Sequence, residues 1–177
     1  MKLNENNAIG IFGGSFDPPH LAHLKIVKIS LKIVKLKKIF WVITRKNPFK
    51  TNSLFSIKER FIKSKKLIKG NKKITVLFLD NKIKSSRTIN IINYFRNVKK
   101  QKNLYLIIGS DNLLTFHKWK NWKKIVKFSK LVVFSRRGYV KKSKESKVVK
   151  YLNKKNIIFL KNDFVNISSS KLRRALK

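Results

Sequence analysis

The chain has 177 residues, 42% of them hydrophobic, which suits one globular domain with a real core and excludes a disordered chain. It carries 45 Lys and Arg against 7 Asp and Glu, a formal net charge of +38, and its lack of Cys excludes disulfides and thiolate metal sites. Glu5 and neighbouring Asn residues stand where a signal peptide needs an apolar region, and no uncharged run could span a bilayer. We therefore expect a cytoplasmic protein with no membrane partner.

The positive charge will attract phosphate-rich molecules through long-range Coulomb forces. A general bias towards Lys, accompanied here by many Asn and Ile, gives the same net charge without any dedicated partner. Charge alone informs on solubility and loose binding rather than on fold. We therefore expect nucleic acid to bind only non-specifically, if it binds at all.

Apolar runs of strand length recur along the chain. They are continuous rather than alternating, as expected of parallel strands that are buried on both faces. In chain order, they are Ala8–Phe12, Ile39–Thr44, Ile74–Leu79, Leu104–Gly109, Leu131–Ser135 and Ile157–Leu160.

Segments with helical spacing separate these runs. Leu24, Val27, Leu31 and Val34 repeat every three to four residues, and similar spacing follows Ile89 and Ile125. A Lys- and Ser-rich stretch over 141–147 is typical of a mobile loop or a solvated helix start. Alternation of strand and helix predicts an α/β domain with a parallel sheet.

The first predicted strand runs into Gly13 and Gly14, and a helix is expected to start near Pro19 or His20. Ligands of parallel α/β sheets bind at the carboxyl ends of the strands, and a helix N-terminus there favours a phosphate. Glycine lets the backbone approach a ligand closely because it has no Cβ. The spacing matches neither the dinucleotide-binding glycine pattern nor the P-loop.

His20 and His23 are three residues apart at the start of this helix, so both side chains can reach one spot. A pair of histidines in a core or on a surface often has no function. This pair follows a glycine-rich turn where anions bind, which favours a functional role. A metal site with Asp17 has too few further ligands to complete it, so we predict no protein metal site.

The stretch from Gly13 to His23 resembles the HxGH signature of the nucleotidylyltransferase superfamily, with Ala22 in place of the usual Gly. The resemblance implies a Rossmann-like doubly wound parallel sheet and a single nucleotidylyltransferase domain over residues 1–177. It also implies that His20 and His23 are catalytic and that ATP contacts Gly13, Gly14, Ser15 and Phe16.

The stretch from Gly109 to Trp122 also follows a buried strand, and Asp111 can cap the helix that begins there, which would explain this acid without a functional role. It resembles the corresponding segment of nicotinate-nucleotide adenylyltransferases. That resemblance implies that Trp119 stacks on the nicotinate ring and that Asp111 lies in the nucleotide site. Thr88, in a segment that resembles the family's carboxylate-binding turn, would hold the nicotinate carboxylate; a helix cap explains it equally well.

The C-terminal segment resembles the superfamily's ISSTxIR motif, in which hydroxyl groups and an Arg hold ATP phosphates. Ser169 and Ser170 match the ATP-binding hydroxyl positions, and Arg173 matches the catalytic Arg. Lys50 matches a family loop residue that contacts substrate phosphate, and Arg136 lies in a turn whose family counterpart reaches ATP. Both are also explained as ordinary surface charge.

The resemblance, which extends from Ile9 to Arg173, implies adenylyl transfer from ATP to nicotinate mononucleotide, with release of pyrophosphate, in NAD biosynthesis. Mg²⁺ would be bound through the ATP phosphates, and nearby phosphates would favour the imidazolium form of the histidines. Nicotinamide mononucleotide or phosphopantetheine stays open as the acceptor. A basic nucleic-acid-binding module is the alternative from another class, and a homo-oligomer stays open.

Overall fold

A computed structural model describes residues 7–45 and 53–161. Six parallel strands form one sheet in this part of the chain, in the order β3-β2-β1-β4-β5-β6. The strands are β1 (Ile9–Gly14), β2 (Lys38–Ile43), β3 (Ile74–Phe78), β4 (Leu104–Gly109), β5 (Lys130–Phe134) and β6 (Ile157–Leu160). The Rossmann-like doubly wound fold expected from the sequence is confirmed.

Helices follow each of the first five strands. They are α1 (Leu21–Ile33), α2 (Ile57–Ile68), α3 (Asp80–Ile83), α4 (Thr88–Asn93), α5 (Ser110–Thr115), α6 (Trp122–Phe128), α7 (Val140–Lys144) and α8 (Lys147–Leu152). A π-helical turn over Tyr94–Val98 extends α4, and a 3₁₀ turn over Phe116–Lys118 extends α5. The stretch over 141–147 is therefore mostly helical, as one of its two interpretations predicted.

The sheet is buried on both faces, which explains its continuous apolar strands. One core contains Ile11 together with buried residues of α4, α5, α6 and α8. The other contains Phe12 and Trp41 together with α1 and α2. Consecutive residues of one strand thus enter opposite cores, so nearly every position inside a strand is apolar.

The strand order reverses between β1 and β4, which pair with each other in parallel. The chain proceeds from β1 towards β3 on one side and from β4 towards β6 on the other. Such a switch point leaves a crevice at the carboxyl ends of the two strands, where ligands of this class of fold bind. Among the described helices, none is long and apolar enough to cross a membrane.

Candidate active site

The two glycines that end β1 differ in the space around them. A Cβ built on Gly13 would meet nothing within 4 Å, whereas one on Gly14 would lie 3.2 Å from the ring of Phe16. Packing inside the protein therefore gives no reason for glycine at position 13. Open space at the end of a strand that borders the switch point suits the close approach of a ligand to the backbone.

The side chain of Phe16 turns into the core. Its φ is +46° and it is only 5% exposed, with its ring centroid 4.7 Å from that of Trp41 and 5.1 Å from that of Phe12. Its backbone, like that of the preceding Ser15, therefore belongs to the turn, while its ring packs in the core and holds the turn in place.

The structure brings His20 and His23 together at the start of α1. Their rings stack with centroids 3.7 Å apart, and the backbone N–H of His20 donates to Nδ1 of His23 at 3.2 Å. Because Nδ1 of His23 accepts a hydrogen bond, the proton of the neutral ring lies on Nε2. His23 can then donate from Nε2 to an anion.

His20 is held in its neutral form. Burial, with a further contribution from the positive charge of Arg136, lowers its pKa from 6.5 to about 4. Its Nε2 atom is buried and has no hydrogen-bond partner within the described ranges. A buried polar atom of this kind costs free energy unless a partner arrives, so the site suits a polar ligand. The expected imidazolium form therefore needs a ligand that raises this pKa by about three units to be populated at neutral pH.

Asp111 and Arg136 join the ends of β4 and β5. The guanidinium of Arg136 forms a close ion pair with the Asp111 carboxylate, and the backbone N–H of Arg136 donates to Oγ of Ser110 at 2.8 Å. Of the two interpretations of Asp111, the helix cap is wrong: α5 has no side-chain cap, and the carboxylate pairs with Arg136 instead. One oxygen of Asp111, Oδ1, is buried without a partner among the described residues.

Thr88 and Trp119 lie in separate elements from the histidines. Thr88 is the first residue of α4, after the N-cap residue Arg87. Trp119 is half-buried, and one face of its ring stacks on Phe116 with centroids 4.7 Å apart. No hydrogen bond or ring contact between described residues joins either side chain to the histidine pair. Four other predicted site residues, Lys50, Ser169, Ser170 and Arg173, lie outside the described residues.

A buried Arg at this edge was missed by the sequence analysis. Arg60 of α2 is 2% exposed and donates to the carbonyl oxygens of Ser15 and Thr44, which follow β1 and β2. The carboxylate of Asp17, which was considered as a metal ligand, accepts from the backbone N–H groups of Leu54 and Phe55 at 2.9 Å. The apolar spacing of α2 places Arg60 on the buried face, which is the signal that could have identified it.

Each carboxylate of this edge accepts at least one hydrogen bond from the protein, although Oδ1 of Asp80 and of Asp111 has no partner among the described residues. Asp17 accepts two backbone N–H groups, Asp80 accepts from Arg45 and Ser86, and Asp111 pairs with an Arg. Within residues 7–45 and 53–161, no three His, Cys, Asp or Glu side chains are grouped to hold a metal ion.

Comparison with known proteins agrees with this geometry. The cytidylyltransferase-like family model matches residues 11–175. A probable nicotinate-nucleotide adenylyltransferase of Pelagibacter ubique is 47% identical over 174 residues, covering 98% of this chain and 96% of the relative. One of Endomicrobium trichonymphae is 34% identical, covering 96% of this chain and 86% of that relative.

Solved structures share the fold. The Plasmodium falciparum nicotinic acid mononucleotide adenylyltransferase complexed with NaAD aligns with a TM-score of 0.76 at 20% identity, covering 97% of this chain and 84% of that one. The same enzyme complexed with APC gives a TM-score of 0.75 at 21% identity, covering 95% and 83%. With a matching family model and relatives of this similarity along nearly its whole length, the chain belongs to the cytidylyltransferase-like family and, within it, to the nicotinate-nucleotide adenylyltransferases.

Proposed function

We propose that the protein transfers the adenylyl group of ATP to nicotinate mononucleotide, yielding nicotinate adenine dinucleotide and pyrophosphate. The observation that carries this proposal is the stacked pair of His20 and His23 beside the open Gly13, at the end of β1. The similarity to nicotinate-nucleotide adenylyltransferases identifies the acceptor. We also propose that residues 1–177 form one nucleotidylyltransferase domain, supported by a family match over residues 11–175.

The reaction forms one bond and breaks one. A phosphate oxygen of nicotinate mononucleotide attacks the α-phosphorus of ATP, and the bond from that phosphorus to the bridging oxygen of the β-phosphate breaks. The attacking oxygen is already an anion, so no general base is needed. The protein then has two tasks, which are to hold the two phosphates in line and to stabilise negative charge on the phosphate oxygens.

The histidines supply donors for that charge. Nε2 of His23 carries the proton of the neutral ring, because Nδ1 is engaged by the backbone of His20. Nε2 of His20 is buried and unpartnered in the described part of the chain, so a phosphate oxygen would satisfy it. Both rings stand at the N-terminus of the 13-residue helix α1, where the helix dipole also favours an anion.

Other residues would bind the rest of the two substrates. Asp111, with one oxygen unpartnered and the other held by Arg136, can accept a hydrogen bond from a sugar hydroxyl of the nucleotide. From the family resemblance, we propose that Trp119 stacks on the nicotinate ring and that Thr88 binds the nicotinate carboxylate. Ser169, Ser170, Arg173 and Lys50, which lie outside the described residues, would contact phosphates.

Mg²⁺ fits this site as an ion carried by the substrate. Because Asp17, Asp80 and Asp111 already accept bonds from the protein, oxygen atoms of the triphosphate and water would supply most of its ligands. When bound, the ion would neutralise charge on the phosphates.

Isotope labelling tests which group moves. With purified protein, Mg²⁺ and nicotinate mononucleotide, label at the α-phosphate of ATP should appear in a dinucleotide. Label at the γ-phosphate should appear in pyrophosphate. Appearance of the γ-label in the acceptor product would instead indicate transfer of a terminal phosphate and would overturn the proposal.

A further inference from the structure

Arg60 is a buried cation whose donors end on backbone carbonyls. Its Nη1 donates to the carbonyl oxygens of Ser15 at 2.8 Å and Thr44 at 3.1 Å, and its Nε donates to that of Ser56 at 3.4 Å. Only 2% of the residue is exposed. Burying a charge costs free energy unless its hydrogen bonds are made. The burial of Arg60 therefore calls for a structural or functional explanation.

Two buried carboxylates surround this cation. Burial lowers the pKa of Arg60, while the charges of Asp17 and Asp80 act in the opposite direction, and a guanidinium stays charged under these conditions. Asp17 is 3% exposed and Asp80 is 6% exposed. Their oxygens accept from backbone N–H groups, including that of Arg45 at 2.7 Å. The three charges therefore hold backbone segments at the ends of β1, β2 and β3.

A short chain of contacts leads from Arg60 to the histidines. The carbonyl that Arg60 holds belongs to Ser15, and the next residue, Phe16, has φ +46° and lays its ring edge-on against His23 with centroids 5.1 Å apart. His23 in turn accepts the backbone N–H of His20. Movement of the Ser15 carbonyl would therefore displace Phe16, and with it the surface on which the histidine pair rests.

We propose that Arg60 is a positioning residue, which fixes the turn after β1 through the carbonyls of Ser15 and Thr44 and thereby aligns His20 and His23 with the reacting phosphates. This role rests on the proposed function of the histidine pair. In this proposal Arg60 makes no contact with substrate. A side chain that only stabilised the fold would change the melting temperature and leave the rate constant of the folded enzyme alone.

Two substitutions separate these roles. Arg60→Met keeps the length and apolar stem of the side chain and removes every donor, whereas Arg60→Lys keeps the charge and part of the hydrogen bonding. We expect Arg60→Met to lower kcat by about 10- to 100-fold, because small misplacements of reacting groups have effects of that size. The KM values for ATP and nicotinate mononucleotide should change by much less, and Arg60→Lys should recover part of kcat.

Val149→Ala provides the matched control. Val149 is 4% exposed in α8, in the core on the opposite face of the sheet, and its truncation should destabilise the fold without moving the turn after β1. All variants are assayed well below their melting temperatures. If Arg60→Met keeps the wild-type kcat, Arg60 has no positioning role. The same holds if Val149→Ala, destabilised to the same extent as Arg60→Met, shows an equal fall in kcat. Should Arg60→Met fail to fold, the same comparison is made with Arg60→Lys.

Nuclear magnetic resonance gives a readout that needs no activity. The chain has three histidines, so their ring signals can be followed individually through a pH titration. In Arg60→Met we expect the pKa of His20 to rise from about 4 towards 6.5, because a relaxed turn exposes the ring to water. If the pKa of His20 is the same in Arg60→Met as in the wild-type protein, the proposal is overturned, even where the wild-type protein is an active enzyme. If the wild-type protein transfers no adenylyl group, a shifted titration still supports the positioning role, so the two failures are distinguishable.

Discussion

The backbone N–H of His20 donates to Nδ1 of His23 at 3.2 Å, and the two rings stack 3.7 Å apart. One hydrogen bond thus fixes both the start of α1 and the tautomer of the second histidine. In the neutral ring the proton then lies on Nε2, a donor that suits a phosphate oxygen.

Loss of that donor should slow the chemical step. We predict that His23→Asn, whose side chain still can accept the His20 N–H, lowers kcat by about 10²- to 10³-fold, as removal of a single donor to a charged transition state does elsewhere. The KM for ATP should change little. His117→Asn, a change in the 3₁₀ turn after α5, is the control. Steady-state kinetics with full activity in His23→Asn would contradict the proposed mechanism.

The low pKa of His20 should make the protein less stable in mild acid. Since the pKa is about 4 in the folded protein and 6.5 when unfolded, only the unfolded chain gains this proton between those values. The stability is complete above pH 6.5 and falls as the pH drops towards 4. The free energy of unfolding should lose about 2 kcal/mol by pH 5 from this group alone.

Urea unfolding at pH 7 and pH 5 measures this loss. The free energy of unfolding at pH 7 minus that at pH 5 should shrink by about that amount in His20→Asn. It should keep its wild-type value in His117→Asn. An equal pH dependence in wild type and His20→Asn would show that His20 does not stay neutral in the folded protein.

The part of the site that sequence could predict is the part encoded locally. Six apolar runs identified the six strands of the described residues to within two residues at each end, because strands buried on both faces leave few polar positions. The histidine pair was identifiable because both residues lie within one helical turn. The predicted end of the first strand fell at Phe12, whereas β1 continues through Gly13 and Gly14.

Contacts between distant segments could not be predicted in this way. Asp111 looked like a helix cap, and its actual partner, Arg136, is 25 residues further along. Arg60 is one of 45 basic residues; the apolar spacing of α2 could indicate that it faces the core, whereas its partners, Ser15 and Thr44, are known only from the fold. A sequence shows that a residue is charged, whereas the fold decides whether water reaches it.

Two glycines of β1 should respond differently to the same change. A Cβ on Gly10 would lie 2.9 Å from side-chain atoms of Leu36 and Ile39, whereas one on Gly13 would meet no protein atom within 4 Å. We predict that Gly10→Ala lowers the free energy of unfolding by about 1–3 kcal/mol through overpacking. Gly13→Ala should keep the wild-type stability and raise the KM for ATP, because the new methyl group occupies the space of the ligand.

Thermal unfolding and ATP kinetics on the two variants check this pair. An unchanged KM for ATP in Gly13→Ala would show that the end of β1 is not part of the ATP site.

Trp119 should serve the acceptor rather than ATP. One face of its ring is stacked on Phe116, so the proposed contact with nicotinate uses the remaining surface. We predict that Trp119→Ala raises the KM for nicotinate mononucleotide by about 5- to 150-fold, the equivalent of about 1–3 kcal/mol for stacking a base on an aromatic side chain, and leaves the KM for ATP nearly alone. Trp122→Ala, which removes a ring in contact with Tyr151, is the comparison. Equal KM values in wild type and Trp119→Ala would end the stacking hypothesis.

The most direct test of the proposed function is pyrophosphate release from the purified protein with ATP and Mg²⁺ and one of three acceptors. We predict a clearly higher kcat/KM with nicotinate mononucleotide than with nicotinamide mononucleotide or phosphopantetheine. Equal or faster release with another acceptor would keep adenylyl transfer at His20 and His23 and contradict the roles of Thr88 and Trp119. Release with none of the three would contradict the function itself.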